Sequence, residues 1–281
     1  MKEIKYKFFM SKAILFFKTD RLIGLLGIII KKLSPSLYST IKIIDKDRTR
    51  IFDLKNKNLR AKIKCIYNKN NRLIFTRHII DEIWNTNTYN PPGFELKNND
   101  TVIDIGANIG IFSVYAAKQA PAGIIYAYEP EPDNFKLLEE NIVINRLTNI
   151  KPFKLGVGRN EKVKLLKSNF SSASHSLYGQ IGGAVDIDCV SLTNIFDINQ
   201  IDCCHFLKLD CEGSEYEILF NLPDEYFRRI KLISLEYHDF FSDNRNGGNL
   251  KIFLESKGFI VTIKPTIAKL GQIYAKNKTL I

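Results

Sequence analysis

The segment Asp104-Ile105-Gly106-Ala107-Asn108-Ile109-Gly110 follows an apolar strand-like stretch and leads into a helical one. Its glycines allow the backbone to turn tightly and to approach a ligand closely. The N–H groups at the start of the following helix can then face a polar or anionic part of that ligand. This arrangement is typical of sites that bind nucleotides or nucleosides.

A carboxylate, Glu129, stands roughly twenty residues beyond the turn, before Pro130, where it can accept hydrogen bonds from both ribose hydroxyls. The glycine spacing is G-x-x-x-G, whereas dinucleotide-binding turns prefer G-x-G-x-x-G. Asn108 replaces the second glycine, and its side chain would crowd a pyrophosphate. We therefore expect an adenosine-containing cofactor without phosphate, such as S-adenosylmethionine, and an NAD-dependent dehydrogenase is the alternative.

Further titratable residues stand at the ends of two later strand-like segments: Asp210 and Glu212 after one, Glu236 and His238 after the other. The carboxyl ends of neighbouring parallel strands lie at one edge of a sheet, where ligands bind. Asp210 and His238 are equal candidates for a general base. Glu212 is better explained as an acid at a helix start. A divalent metal on Asp210 is an alternative, but a second ligand is not evident, so we predict no metal site.

The elements that must position these residues alternate between strand and helix from residue 101 onward. This alternation predicts an α/β fold with a doubly wound, mostly parallel sheet of seven strands. A final hairpin, Phe259–Lys264 with Leu270–Ala275, would add one antiparallel strand. The other predicted elements are strands Thr101–Ile105, Gly123–Tyr128, Asn149–Lys154, His205–Asp210 and Ile230–Glu236, strand-like pieces Val163–Lys167 and Val185–Ser191, and helices Ile109–Gln119, Glu131–Arg146 and Leu250–Lys257.

Residues 1–75 form a predicted helical and hairpin extension, and residues 76–281 form the main domain. Residues 1–45 have apolar positions at helical spacing, and Leu59–Tyr67 and Arg72–Thr76 are predicted to pair as a hairpin around the turn at residues 68–71. The apolar run Leu22–Ile30 is too short to span a bilayer. We expect an amphipathic helix that docks on the domain, and contact with an anionic membrane surface is the alternative.

The net charge is +11 and the isoelectric point is about 9.3, but no dense block of lysine and arginine occurs. This spread favours a lysine-rich surface over a nucleic-acid-binding one. The five cysteines include no C-x-x-C pair, which argues against disulfide and zinc frameworks and predicts a cytoplasmic protein. Asn90-Pro91-Pro92-Gly93 lacks the aromatic fourth residue of amino-methylating enzymes and is predicted to be a turn.

Four blocks in order resemble the FkbM family of methyltransferases: Val102–Ser113, Tyr128–Pro132, Phe206–Glu215 and Leu235–His238. The third block is similar to the K-x-D-x-E-G motif of that family. The resemblance extends over roughly residues 75 to 275 and implies a class I, Rossmann-like methyltransferase fold with S-adenosylmethionine as the methyl donor. By analogy with the family, it also implies O-methylation of a sugar, glycan or other secondary metabolite.

Carried onto this chain, the resemblance implies that Glu129 holds the ribose and that Asp210 lies beside the sulfonium or the acceptor. The residues expected to bind the cofactor are Asp104, Gly106, Ala107, Asn108, Gly110, Glu129, Pro130 and Asp210. The alternatives are an RNA methyltransferase with the same fold, suggested only by the charge, and a non-catalytic nucleoside-binding protein. The sequence leaves the oligomeric state undetermined.

Overall fold

The computed structural model describes residues 41–42, 49–56, 59–66, 72–166, 184–239, 245–267 and 270–281. The elements are, in chain order, β1 (Ile41–Lys42), β2 (Thr49–Asn56), β3 (Leu59–Ile66), α1 (Arg72–Ile80) continued by a π-helical turn (Asp81–Asn85), β4 (Thr101–Ile105), α2 (Ile111–Gln119), β5 (Ile124–Tyr128), α3 (Pro132–Ile144), β6 (Ile150–Phe153), β7 (Gly156–Val157), β8 (Lys162–Leu166), β9 (Ala184–Val190), α4 (Leu192–Ile198), β10 (Cys204–Leu209), α5 (Glu215–Phe220), α6 (Asp224–Phe227), β11 (Ile230–His238), α7 (Gly247–Ser256), β12 (Phe259–Ile267) and β13 (Leu270–Asn277).

A seven-stranded sheet in the order β12-β13-β11-β10-β4-β5-β6 forms the centre of the protein. β13 runs antiparallel to both of its neighbours, while β11, β10, β4, β5 and β6 pair in parallel. The predicted doubly wound sheet and its closing hairpin are thus confirmed. The two strand-like pieces after residue 160 are β8 and β9, which form a separate small sheet with β7.

Adjacent residues of the central strands face opposite sides of the sheet, and both sides are covered. Val102 and Phe206 pack with α2 and α3 in one core, whereas Ile103 and Leu207 pack with α4, α5 and α7 in the other. Burial on both faces explains why these strands are almost continuously apolar. It also makes the lysine at position 208, in the middle of such a strand, exceptional.

The N-terminal hairpin exists, but it uses different strands from those predicted. β2 pairs antiparallel with β3, with Thr49 opposite Ile66 and Asn56 opposite Leu59. Hydrogen bonds from two side-chain amides hold β3 on α3. The Asn141 amide accepts from the N–H of Lys64 and donates to its carbonyl, and the Asn145 amide does the same with Lys62. This packing fixes the hairpin against the central domain.

The predicted strand Arg72–Thr76 is wrong, because this segment begins the helix α1. Thr76, Ile80, Ile83 and Trp84 are buried at helical spacing, so a continuous helical face packs onto the domain. The five-residue window alone did not contain enough of this repeat to distinguish a helix from a strand.

Most of the predicted N-terminal helical extension and the turn at residues 68–71 lie outside the described residues. Ile41 and Lys42, which were predicted to be helical, instead pair with β2 as the strand β1. The division at residues 75 and 76 stays a prediction. Within the described ranges, no helix combines the length and apolarity needed to cross a bilayer.

Candidate active site

The glycine turn after β4 lies against the carboxyl ends of two neighbouring strands. The N–H groups of Gly106 and Ala107 both donate to the carbonyl of Tyr128, at 3.1 and 2.9 Å. Gly106 has φ +75°, and a Cβ there would lie 1.9 Å from the carbonyl oxygen of Asp210. A side chain at position 106 would thus collide with the end of β10, so glycine is required there. Its absence of a Cβ lets the turn pack directly against Asp210.

The rest of the turn leads directly into α2. Asn108 has φ +53°, a left-handed conformation that asparagine tolerates, and its side-chain oxygen accepts from the N–H of Ile109 at 2.7 Å. Gly110 has φ +84° and caps α2, where a Cβ would meet the Leu138 side chain at 2.5 Å. The turn is thus fixed by backbone conformation at three positions.

Glu129 bridges the end of β5 to the glycine turn. Its Oε2 accepts from the N–H of Asn108 at 2.8 Å, and its Oε1 accepts from the N–H of Glu131 at 2.9 Å. Burial raises the pKa of Glu129 to about 7, and these two N–H groups only partly oppose that shift. The Asn134 side chain also hydrogen-bonds this carboxylate, which still has one lone pair with which to accept from a ribose hydroxyl. Pro130 follows as a half-buried residue and leads to α3, whose N-cap is Glu131.

Asp104 is fully buried beneath the turn and is paired with Lys208. The Lys208 ammonium lies 3.0 Å from Asp104 Oδ1 and donates to the carbonyl of Gly106 at 2.7 Å, while Ser113 Oγ donates to Asp104 Oδ2 at 2.5 Å. Burial alone would lower the pKa of Lys208, but the carboxylates of Asp104 and Asp210 raise it. In this geometry Asp104 supports the turn from below.

Asp210 directly follows β10, and 31% of its side chain is exposed. Its Oδ2 accepts from the hydroxyl of Tyr89 at 2.7 Å and lies 3.9 Å from the Lys208 ammonium. Burial, followed by the charges of Asp210 and Glu236, raises the pKa of Tyr89 well above its ordinary value. The hydroxyl therefore stays protonated and acts as a donor.

His238 lies at the end of β11 and is only 3% exposed. Its Nδ1 lies 3.0 Å from Glu215 Oε1, and its Nε2 lies 3.5 Å from Glu212 Oε2. Burial alone would lower the pKa of His238, but the facing carboxylates of Glu215 and Glu212 raise it well above its ordinary value. The ring thus lies between the carboxyl groups of Glu215 and Glu212, and burial raises the pKa of Glu212 itself to about 8.

The model of the Methyltransferase FkbM domain matches residues 104–261, which hold the turn, Glu129, Asp210 and His238. This chain belongs to the FkbM methyltransferase family. It is therefore an S-adenosylmethionine-dependent methyltransferase with a class I, Rossmann-like fold, as the resemblance implied.

Three curated relatives show how far the similarity extends. Methyltransferase sdnD of Sordaria araneosa is 25% identical over 261 residues, which are 81% of this chain and 92% of that protein. The 31-O-demethyl-FK506 methyltransferase FkbM of Streptomyces tacrolimicus is 27% identical over 56% of this chain and 73% of its own. The hexuronic acid methyltransferase AglP of Haloferax volcanii is 24% identical over 51% of this chain and 58% of its own.

The polar groups at this edge of the sheet fit the cofactor of an FkbM methyltransferase. Glu129 presents a buried carboxylate with acceptor capacity left for ribose hydroxyls, and Asp210 presents a carboxylate suited to an ammonium or a hydroxyl. In the turn between them Ala107 and Ile109 are buried, so Asn108 has the one partly exposed side chain between Gly106 and Gly110. A compact nucleoside with a positively charged substituent is therefore compatible with the residues present.

The sequence assigned no role to two residues of this FkbM site, Lys208 and Tyr89, and a different role to a third, Glu212. Lys208 had a usable signal, since a lysine within the apolar segment Phe206–Leu209 must find a buried partner. Tyr89 had none, because only the fold brings it to Asp210. Glu212 was expected at a helix start, yet it precedes α5 in a left-handed conformation, φ +55°, and faces His238.

The segment that carries Tyr89 is itself anchored. The Tyr274 hydroxyl donates to the carbonyl of Thr88 at 2.5 Å, and the Asn90 amide donates to the Tyr115 hydroxyl at 2.8 Å. The N–H of Phe94 closes a turn onto the carbonyl of Pro91 at 2.8 Å, as predicted for the Asn-Pro-Pro-Gly stretch. This loop is thereby held close to Asp210.

Proposed function

We propose that this FkbM methyltransferase transfers the methyl group to a hydroxyl oxygen of a sugar, a glycan or a related secondary metabolite. The observation that carries the proposal is the position of Asp210, a partly exposed carboxylate in contact with the cofactor turn. The names of two relatives support the acceptor class, one an O-methylating enzyme and the other acting on a hexuronic acid.

S-adenosylmethionine supplies an activated methyl group when bound, so the protein mainly has to align the reacting atoms. We assign its binding to Gly106, Ala107, Asn108 and Gly110, with the ribose on Glu129 and with Pro130 lining the same strand end. Asp104 contributes through Lys208 by fixing the turn. The contact between Gly106 and the carbonyl of Asp210 sets the distance between the donor and acceptor sides.

Asp210 is our candidate for the group that receives the hydroxyl proton. A sugar hydroxyl is a weak nucleophile at neutral pH, and a carboxylate within hydrogen-bond reach assists its attack. Tyr89 fixes one oxygen of the carboxylate at 2.7 Å, which limits rotation of the group. With the cofactor bound, the carboxylate would take the proton of the acceptor hydroxyl as the methyl group exchanged its bond to sulfur for a bond to this oxygen.

His238 is less suited to that role than the sequence suggested. Both ring nitrogens face carboxylates, and a raised pKa leaves no basic nitrogen near neutral pH. Its charge instead balances Glu212 and Glu215 beside Asp210. Burial and the charge of Asp210 raise the pKa of Glu236, so this cluster carries less negative charge than its number of carboxyl groups implies.

The test compares Asp210→Asn with His238→Gln in an assay that follows methyl transfer from labelled S-adenosylmethionine to uronic acids, their oligosaccharides and neutral hydroxylated sugars. Asp210→Asn should lower kcat by about 10²- to 10⁴-fold while the cofactor Kd changes by only a few fold. The remote Asp197→Asn should match the wild type. Methylated nitrogen in the product, or full activity of Asp210→Asn, would overturn the assignment.

A further inference from the structure

A basic groove lies between the N-terminal hairpin and the last turns of α2 and α3, away from the active site. It has a volume of about 550 Å³, and its lining includes five cationic side chains, those of Lys55, Arg60, Lys62, Lys118 and Arg146. One carboxylate, Asp53, also lines it. Because α2 begins at the carboxyl edge and runs back across the sheet, Lys118 near its end lies toward the opposite edge.

The five cations of this groove have no ion-pair partner among the described residues. Some cations elsewhere are paired, as in Lys64 with Glu140 at 3.0 Å and Lys257 with Asp224 at 2.6 Å, and the groove differs in gathering five cations, unpaired within the described ranges, along one lining. Like charges gathered in one concavity repel one another, and their field attracts anions. Burial lowers the pKa of Lys118, which is consistent with an ammonium that lacks a counter-charge.

The geometry at Arg146 is a second, independent observation. Arg146 follows the C-cap of α3 with φ +54°, in a turn closed by the N–H of Leu147 on the carbonyl of Ile142 at 3.2 Å. Glycine or asparagine is the usual residue at this position of a helix end. A positive charge there complements the helix dipole, but an arginine in a left-handed conformation is a costly way to place one.

The walls of the groove are fixed relative to each other. Asn145, which lines the groove, accepts from the N–H of Lys62 at 2.7 Å and donates to its carbonyl at 2.5 Å. These contacts use the backbone of Lys62 and leave its ammonium for a ligand. A groove with preset walls loses little conformational entropy when it binds.

We propose that this groove binds an acidic polysaccharide, with its carboxylates on the lysines and arginines and its sugar rings on the partly exposed Leu54 and Ile144. Arginine suits two-point contact with carboxylates. The lining contains no aromatic side chain, whereas sites for single-stranded nucleic acid provide rings on which bases stack. This binding goes beyond the proposed O-methylation and does not depend on which hydroxyl is methylated.

The test measures binding of a fluorescent oligogalacturonate to the full chain at two salt concentrations. Lys55, Arg60 and Lys62 are changed together to glutamine, and a control with Lys97, Lys231 and Lys278 changed to glutamine loses the same charge elsewhere. The groove variant should weaken binding about tenfold and depend less on salt, whereas the control should stay near the wild type.

Equal affinity of the groove variant and the control would overturn the proposal, as would tighter binding of polyuridylate than of oligogalacturonate through the same three residues. Cofactor affinity, measured in all three proteins, should be unchanged and reports that they are folded. A protein that binds the oligogalacturonate but never methylates oxygen would refute the proposed function and leave this inference standing.

Discussion

Replacing Glu129 with glutamine should change stability and cofactor binding in opposite directions. Burial raises the pKa of Glu129 from 4.5 to about 7, a difference of about 2.5 units, and each unit corresponds to about 1.36 kcal/mol. A carboxyl whose pKa is higher in the folded state destabilises that state as it ionises. The cost is absent below pH 4.5 and reaches about 3 kcal/mol above pH 7.

Glutamine is never ionised, so the variant avoids this cost. It keeps one carbonyl oxygen for the N–H groups of Asn108 and Glu131 and loses about one hydrogen bond, worth about 1 kcal/mol. The variant should therefore be about as stable as the wild type near pH 5 and about 2 kcal/mol more stable near pH 8. Cofactor binding should weaken by about 1–3 kcal/mol, which is about 5- to 150-fold in Kd.

Urea unfolding of both proteins at the two pH values gives the stability difference, and calorimetric titration with S-adenosylmethionine gives the Kd. Titration of all other groups cancels in the comparison, because the two chains differ at one side chain. A stability difference that does not change with pH would refute the burial argument. An unchanged Kd would refute the assignment of Glu129 to the ribose.

Tyr89→Phe should lower kcat about tenfold with little change in KM for the cofactor, because Asp210 loses the donor that orients it. Steady-state kinetics against Tyr274→Phe, which removes an anchor of the same loop but no contact to Asp210, should show kcat reduced only in the first variant. Gly106→Ala should destabilise the protein by about 2–5 kcal/mol, since its Cβ would meet the Asp210 carbonyl at a positive φ. Gly158→Ala, where an added Cβ meets nothing within 4 Å, should unfold at the same urea concentration as the wild type. An equal loss of unfolding free energy in both variants would contradict the steric argument.

The features predicted correctly from the sequence are those encoded locally. A run of apolar residues bounded by glycine predicts each of the strands β4 and β5, and the turn between Asp104 and Gly110. The alternation of strand and helix then fixes the parallel order, because crossover connections allow few arrangements. The carboxyl edge, with Glu129 and Asp210 on it, follows from that order alone.

The features that sequence patterns missed depend on contacts between distant segments. Tyr89 and Asp210 are 121 positions apart, and no local pattern joins them. The state of His238 depends on Glu215, which lies on another element and contacts it only after folding. The hairpin error has a different cause, since a short apolar run such as Arg72–Thr76 satisfies the helical and extended periods equally well.

The ammonium of Lys208 donates a hydrogen bond to the Gly106 carbonyl, in the turn assigned to the methyl donor. It also lies near the carboxylate of Asp210, which is assigned to the methyl acceptor. Substitutions on β10 that change the binding of the methyl acceptor therefore also disturb the binding site of the methyl donor. The end of β11 and the loop that carries Tyr89 reach Asp210 from outside β10, so changes in preference are less constrained there. Attempts to re-engineer the acceptor range of this enzyme should concentrate their libraries on those same elements.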